Sequence, residues 1–465
     1  MTASNSEPRD NGRRLLANEG VHPLQRLLLA EWPLRLEDGD DSIGSADARV
    51  TCLSGEGDPV WLRSGDWQLF ARPGERSPTG GEVIATFECD DGRTLSACVD
   101  PSSRDVTVPF SFAEAYASYV SEAWRAAGTQ RQLSAGQLRA YYALKKLIPR
   151  GMQLAARRAL VRAQGVPAFP AWPSDSSVSR LLHFYAGCAL RAAGLDEGAF
   201  TWFWPPGQHA ALVLTHDVEG DDGIRLALEL ADLEEAHGFR SSFNFGAWYD
   251  VDPGVLNELR SRGFEIGMHG LTHDRQLFAS REGFQERLPG LRELARELDA
   301  VGFRSPATHR VFEWLAELPV DYDCTIPNSD PYEPQPGGCC SIWPYFIGPV
   351  VELPYTLPQD HTVLTLLRHR SPALWLEQAA GIAQSYGLIQ CVSHPDPGYL
   401  GDADKRAVYA EFLQGIATQS GVWRALPREV SAWWRQREMT DAGVAGVTHG
   451  TVRLVDDRVV LSPPV

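Results

Sequence analysis

The sequence lacks the cysteine pairs of a zinc ribbon or a disulfide scaffold. Its eight cysteines, Cys52, Cys89, Cys98, Cys188, Cys324, Cys339, Cys340 and Cys391, show no CxxC spacing, so reduced thiols are expected. A long apolar run is also missing. The most notable charge-poor stretch, residues 334–351, holds Pro334, Pro336, Pro344, Pro349 and three glycines, which a membrane helix does not tolerate in succession. No transmembrane segment is expected. Residues 1–14 are polar and have no apolar core of the secretory type, so a cytoplasmic location is expected. Positive charge is short as well: 43 Lys+Arg stand against 60 Asp+Glu, for a net charge of −17. That balance argues against nucleic acid as a partner. With 43% hydrophobic and 22% charged residues over 465 positions, the chain is long and apolar enough for two or three well-buried domains.

The basic charge that exists is concentrated. Residues 123–174 contain no acid, yet carry Arg125, Arg131, Arg139, Lys145, Lys146, Arg150, Arg157, Arg158 and Arg162. Such a segment is either a solvated helix face paired with acidic surface or a seat for a phosphate-bearing or anionic-membrane-bound substrate. Before it, residues 1–110 read as β-rich: the runs 83–87 and 94–99 flank the turn Asp90-Asp91-Gly92, and 61–72 reads similarly. Residues 111–204 read as a helical, basic region, broken at Pro149 and again at Pro167, Pro170 and Pro173. From 205 to 440, strands (210–215, 242–248, 264–269, 320–325, 350–357, 388–394) alternate with helices such as 224–237, and Ser371-Pro372 reads as a helix cap with proline in the first turn. Residues 441–465 are left as a tail. The alternation predicts an α/β unit with a parallel sheet, open or closed, whose functional groups gather at the carboxyl ends of the strands.

Titratable residues do stand at those ends. The run 210–215 leads into His216-Asp217-Val218-Glu219, 264–267 into His269 and His273, and 388–393 into His394-Pro395-Asp396; nine of the twelve histidines fall between 209 and 394. Two imidazoles four residues apart project from one side of a helical turn and can grip one ion. A carboxylate from the first strand would complete a His₂-carboxylate set suited to a hydrolytic divalent metal. Two surface histidines at a helix start are the plainer alternative.

The ordered set Leu214-Thr215-His216-Asp217-Val218-Glu219, Glu265-Ile266-Gly267-Met268-His269-Gly270-Leu271-Thr272-His273, Phe303-Arg304-Ser305-Pro306, Asp321-Tyr322-Asp323-Cys324-Thr325 and Val392-Ser393-His394-Pro395 resembles the five motifs of the polysaccharide deacetylase (NodB-homology, carbohydrate esterase family 4-like) family. It covers roughly residues 205–435. The resemblance implies a distorted (β/α) barrel of NodB type in the C-terminal half; the mixed β-rich and helical N-terminal domain read above precedes it and lies outside the resemblance. It also implies a metal-dependent hydrolase that removes an N-acetyl group from an amino sugar, in surface polysaccharide or glycan-precursor biosynthesis.

One departure stands out. Val218 occupies the place of the second aspartate of the common first motif, so Glu219 is the carried-over ligand and His216 the reserve. The implied set is then Glu219, His269 and His273 on a divalent metal, zinc first, with cobalt, nickel or iron also compatible. Asp217 would be the base, held by Arg304, and a backbone N–H near Ala307 would bind the oxyanion. His394 would be the acid, oriented by Asp323. In the long loop that follows, Trp343 and Tyr345 are expected as walls for the amino-sugar or glycan substrate, and Asp360-His361 as a further recognition element. A phosphate-linked carrier would meet the basic segment. Hydrolysis of a non-sugar cyclic amide, and a catalytically degenerate glycan-binding protein, remain open beside this reading.

Overall fold

A computed structural model of the chain describes Leu24 and residues 35–36, 43–45, 48–75, 80–127, 150–438 and 446–464. The expected hairpin at Asp90-Asp91-Gly92 is present: Glu82–Cys89 pairs antiparallel with Thr94–Val99, and Gly92 takes φ 86° at the turn. Residues 61–72 form a second hairpin, Val60–Ser64 with Trp67–Ala71. Both belong to an eight-stranded sheet, in which, among the described residues, only Ala48–Cys52 and Val106–Val108 run parallel. The helices Phe112–Val120 and Ser177–Ala193 cover it, burying Phe87, Phe110, Phe112 and Tyr185. Ser111 caps the first helix, its hydroxyl accepting from the Glu114 N–H at 3.0 Å. Of the basic segment, Arg131, Arg139, Lys145 and Lys146 lie outside the described residues. Arg150–Gln164 is a helix.

The second half is built on a curled, largely parallel sheet. Its order is Tyr345–Ile347, Val350–Glu352, Tyr322–Asp323, Gly302–Phe303, Glu265–Met268, Ser242–Phe245, Ala210–Asp217 and Leu388–Ser393, with Val422–Arg424 also paired to Ala210–Asp217. Ala210–Asp217 is buried at every position, as expected of a strand covered on both faces. Helices Asp221–Ala236, Pro253–Ser261, Arg281–Glu297, Ala373–Gln384, Ala403–Ala417 and Pro427–Glu438 alternate with the strands. Residues 355–357 link the two sides of the sheet: the Tyr355 N–H donates to Ile326 O, and the Thr356 N–H to Gln390 O.

Two local expectations are corrected. The helix after Ser371 begins at Ala373 with Pro372 at the cap position, so the Ser371 hydroxyl caps nothing. The segment expected as a tail forms a hairpin, His449–Val455 with Arg458–Ser462, whose first strand pairs with Glu197–Thr201. One apolar cluster extends from Leu24 to Leu461.

Candidate active site

Five of the motif residues converge at the carboxyl ends of adjacent strands. Asp217 ends Ala210–Asp217, and the side-chain alternation of an extended chain sends Val218 into the core, fully buried, while Asp217 and Glu219 both line the cleft. The same alternation puts His216 on the opposite face. There it is buried between Ser393 Oγ and Glu234 Oε1, each at 2.8 Å, and is out of reach as a reserve ligand.

Asp217 is tightly held. Asn244 Nδ2 donates to its Oδ1 at 2.8 Å, and the fully buried Arg304 guanidinium stands 3.6 Å away. Burial works against its charge, but His269, Arg304, His394 and the Asn244 hydrogen bond outweigh it and hold the carboxyl below its usual range. Glu219 is fixed through its backbone, whose N–H donates to Asp396 Oδ2 at 2.9 Å. Its carboxylate meets His273 Nε2 at 2.9 Å.

His269 and His273 do come together, but not on a helical turn. They stand in the loop after Glu265–Met268, which turns through Gly270 at φ 100°, against Pro306. The Nδ1–H of His269 donates to Arg304 O at 2.9 Å. That bond fixes the tautomer and leaves Nε2 as an acceptor. Burial lowers the His269 pKa to about 4, so the ring is neutral at pH 7. Its Nε2 is buried without a hydrogen-bond partner. One ligand atom each from Glu219, His269 and His273 lies within 4.8 Å of the others. An orphaned imidazole nitrogen beside a second imidazole and a carboxylate fits zinc, cobalt, nickel or iron better than it fits a hard, oxygen-seeking ion.

On the facing side, His394 Nδ1 pairs with Asp360 Oδ1 at 2.8 Å, while Asp360 Oδ2 accepts the His394 N–H at 3.0 Å. Burial would lower this imidazole, but Asp360, Glu219 and Asp217 raise its pKa to about 10. The expected partner, Asp323, makes no such contact. Its Oδ1 accepts from Thr325 Oγ1 at 2.6 Å, and it lies among buried groups beside Glu352, whose carboxyl burial and Asp323 drive far upward. Asp323 ends Tyr322–Asp323 and is bonded to Thr325, whereas Asp360, a few residues after 355–357, reaches His394.

Ala307 borders the cleft and, with Thr308, takes a left-handed conformation (φ 50° and 52°). Two such residues in succession are uncommon without glycine. Trp343 and Tyr345 do not border the cleft. Trp343 stacks on Phe203 at 5.1 Å and donates to Tyr386 O, while the Tyr345 hydroxyl donates to Val120 O; both are almost fully buried. Their apolar neighbours bury the segment, in which Tyr345–Ile347 is a strand and Trp343 precedes it in irregular chain. Phe278 and Tyr399 are the aromatic rings that line the cleft, which has a volume of about 1570 Å³. Asn244 and Tyr399 were not anticipated; Asp396, which the sequence places with His394 at a strand end without a role, accepts the Glu219 N–H.

No family model matches the sequence, and a comparison with curated proteins gives no match. Solved structures do. A chain assigned as a polysaccharide deacetylase from Mycobacterium smegmatis is 19% identical, with TM-score 0.41, over 52% of this chain and 96% of its own. PuuE allantoinase is 15% identical, with TM-score 0.40, over 50% and 92%. A chain assigned as a polysaccharide deacetylase from Pseudomonas aeruginosa PAO1 is 14% identical, with TM-score 0.38, over 50% and 93%. These three matches each cover about half of this chain.

Proposed function

We propose that the chain is a metal-dependent hydrolase that removes an N-acetyl group from an amino sugar, in the making of a surface polysaccharide or a glycan precursor. The observation that carries this reading is the convergence of Asp217, Glu219, His269, His273 and His394 on one cleft. Glu219, His269 and His273 would hold the ion, and when bound it supplies electrophilic polarisation of an amide carbonyl and acidifies water. Asp217, kept ionised by Arg304 and Asn244, takes a proton from the attacking water at its carboxylate. The backbone N–H of Ala307 is assigned to the developing oxyanion. His394, protonated and held at Nδ1 by Asp360, delivers a proton from Nε2 to the departing amine, without which an amide anion would have to leave.

Glu219 facing His273 across 2.9 Å favours a working site over one decayed at Val218. A phosphate-linked carrier finds less support: Arg157 stands beside Glu333, and Arg158 donates to Thr365 O. The test is acetate release from N-acetylated sugars by metal-loaded protein, alongside Asp217→Asn. Expected is release by the wild type and loss of turnover with retained metal in the variant. Ring opening of cyclic amides without acetate release from any sugar would replace the sugar reading with the cyclic-amide one.

A further inference from the structure

The cleft has a second charged end, built by a helix from outside the α/β unit. Gln153, Leu154 and Arg157 lie on one face of Arg150–Gln164 and line the cleft. The helix is firmly seated. Arg157 Nη2 donates to Tyr332 O at 2.8 Å, Arg158 Nε to Thr365 O at 3.0 Å, and Val161 packs with Tyr332 and Leu366. At this end Glu333 Oε1 lies 4.0 Å from Arg157 and 3.7 Å from His361 Nδ1. A row of side chains joins it to the metal-ligating end: the His361 ring meets Tyr399 at 5.8 Å, Tyr399 stacks on His394 at 4.6 Å, and His394 Nε2 lies 3.8 Å from Glu219 Oε1.

We infer that this helix closes the cleft, so that the site takes the terminal residue of a glycan or a free short saccharide, with Arg157, Glu333 and His361 reading its hydroxyls. The inference rests on the N-deacetylase reading. An internal residue of a polymer needs open groove on both sides of the reacting acetamide, and one side here is occupied by the helix. The charges at this end also select the ligand. Arg157 is balanced by Glu333, so a neutral hydroxyl, which both donates and accepts, meets a partner for each role. A phosphate placed there would face the Glu333 carboxylate.

The test uses metal-loaded, full-length protein and N-acetylglucosamine oligomers of one to six units labelled at the reducing end, with the site of acetyl loss mapped by mass spectrometry. The wild type is expected to deacetylate one terminal residue at every length, with internal residues at least about 10-fold slower. In the combined variant Gln153→Ala, Leu154→Ala, Arg157→Ala, checked for folding by circular dichroism, internal residues should become substrates. Acetyl loss from internal residues of the hexamer as fast as from its end, in the wild type, overturns the closed end and leaves the deacetylase reading standing. A folded triple variant that remains confined to the terminus overturns the helix as the determinant. No acetate at any length overturns the deacetylase reading and this inference with it.

Discussion

The ion pair between Glu122 and Arg310 joins the two halves of the molecule at the edge of the cleft, and breaking it has a calculable effect. Arg310 Nε and Nη2 each donate to a different Glu122 oxygen at 2.6 Å, and the two side chains are 2% and 6% exposed. The same guanidinium donates to Thr308 O, and Gln335 brackets the Arg310 backbone from both sides, so the pair also pins the left-handed loop at Ala307 and Thr308. Glu122→Gln leaves a buried guanidinium without its counter-charge, which costs about 3–5 kcal/mol. Removing both charges with Glu122→Met and Arg310→Met together should cost less than either single change, because neither Glu122 nor Arg310 is left facing an empty partner; Arg125, whose Nη1 lies 3.8 Å from Glu122 Oε2, loses that contact in every variant that removes the Glu122 charge.

The pH dependence has a definite sign. Burial alone would raise the Glu122 carboxyl, but Arg310 holds it below its ordinary range. The contribution is therefore present above the unfolded value and lost as pH falls through the folded one. Urea denaturation at pH 7 measures the effect. A loss under about 1 kcal/mol in Glu122→Gln, the size of an exposed pair, or a double variant worse than both singles, would refute the reasoning.

Other outcomes follow from the same geometry. Asp360→Asn should lower kcat by about 10²-fold with metal content unchanged, measured by steady-state acetate release; the corresponding change at Asp323, which does not touch His394, should leave metal content unchanged and act mainly on stability. Burial pushes Glu265 up to about 7 from an ordinary 4.5, against hydrogen bonds from Tyr322 and the Arg428 N–H. Its contribution to stability is full below the unfolded value and is lost as pH rises through about 7, by about 3 kcal/mol. Glu265→Gln should flatten the denaturation free energy between pH 5 and 8, and an unchanged slope would remove Glu265 as its source.

Much of the site was legible because short motifs report local geometry. Strand alternation alone explains how Asp217 and Glu219 flank a buried Val218. What was hidden depended on contacts distant in sequence. The spacing of His269 and His273 reads equally as a helical turn or a bent loop, and only the approach of Pro306 to Gly270 decides it. Asp323 and Asp360 are both carboxylates near strand ends, and which one meets His394 is set by how residues 355–357 join the sheet. Trp343 carried a sugar-stacking reading because a tryptophan ring looks alike on a cleft wall and in a core; its stacking on Phe203 comes from a segment 140 residues earlier. The terminal hairpin was missed for a similar reason, since its partner strand, Glu197–Thr201, lies on the far side of the whole α/β unit in sequence.

Metal binding at this cleft requires Glu219 to complete a site with His269 and His273. Metal stoichiometry of the purified protein and of Glu219→Ala, after dialysis against micromolar zinc or cobalt, tests this most directly. One ion per wild-type chain, with binding weakened by 10-fold or more in the variant, is the predicted result. A wild type that takes up no ion, or a variant that holds one as tightly as the wild type, would contradict it.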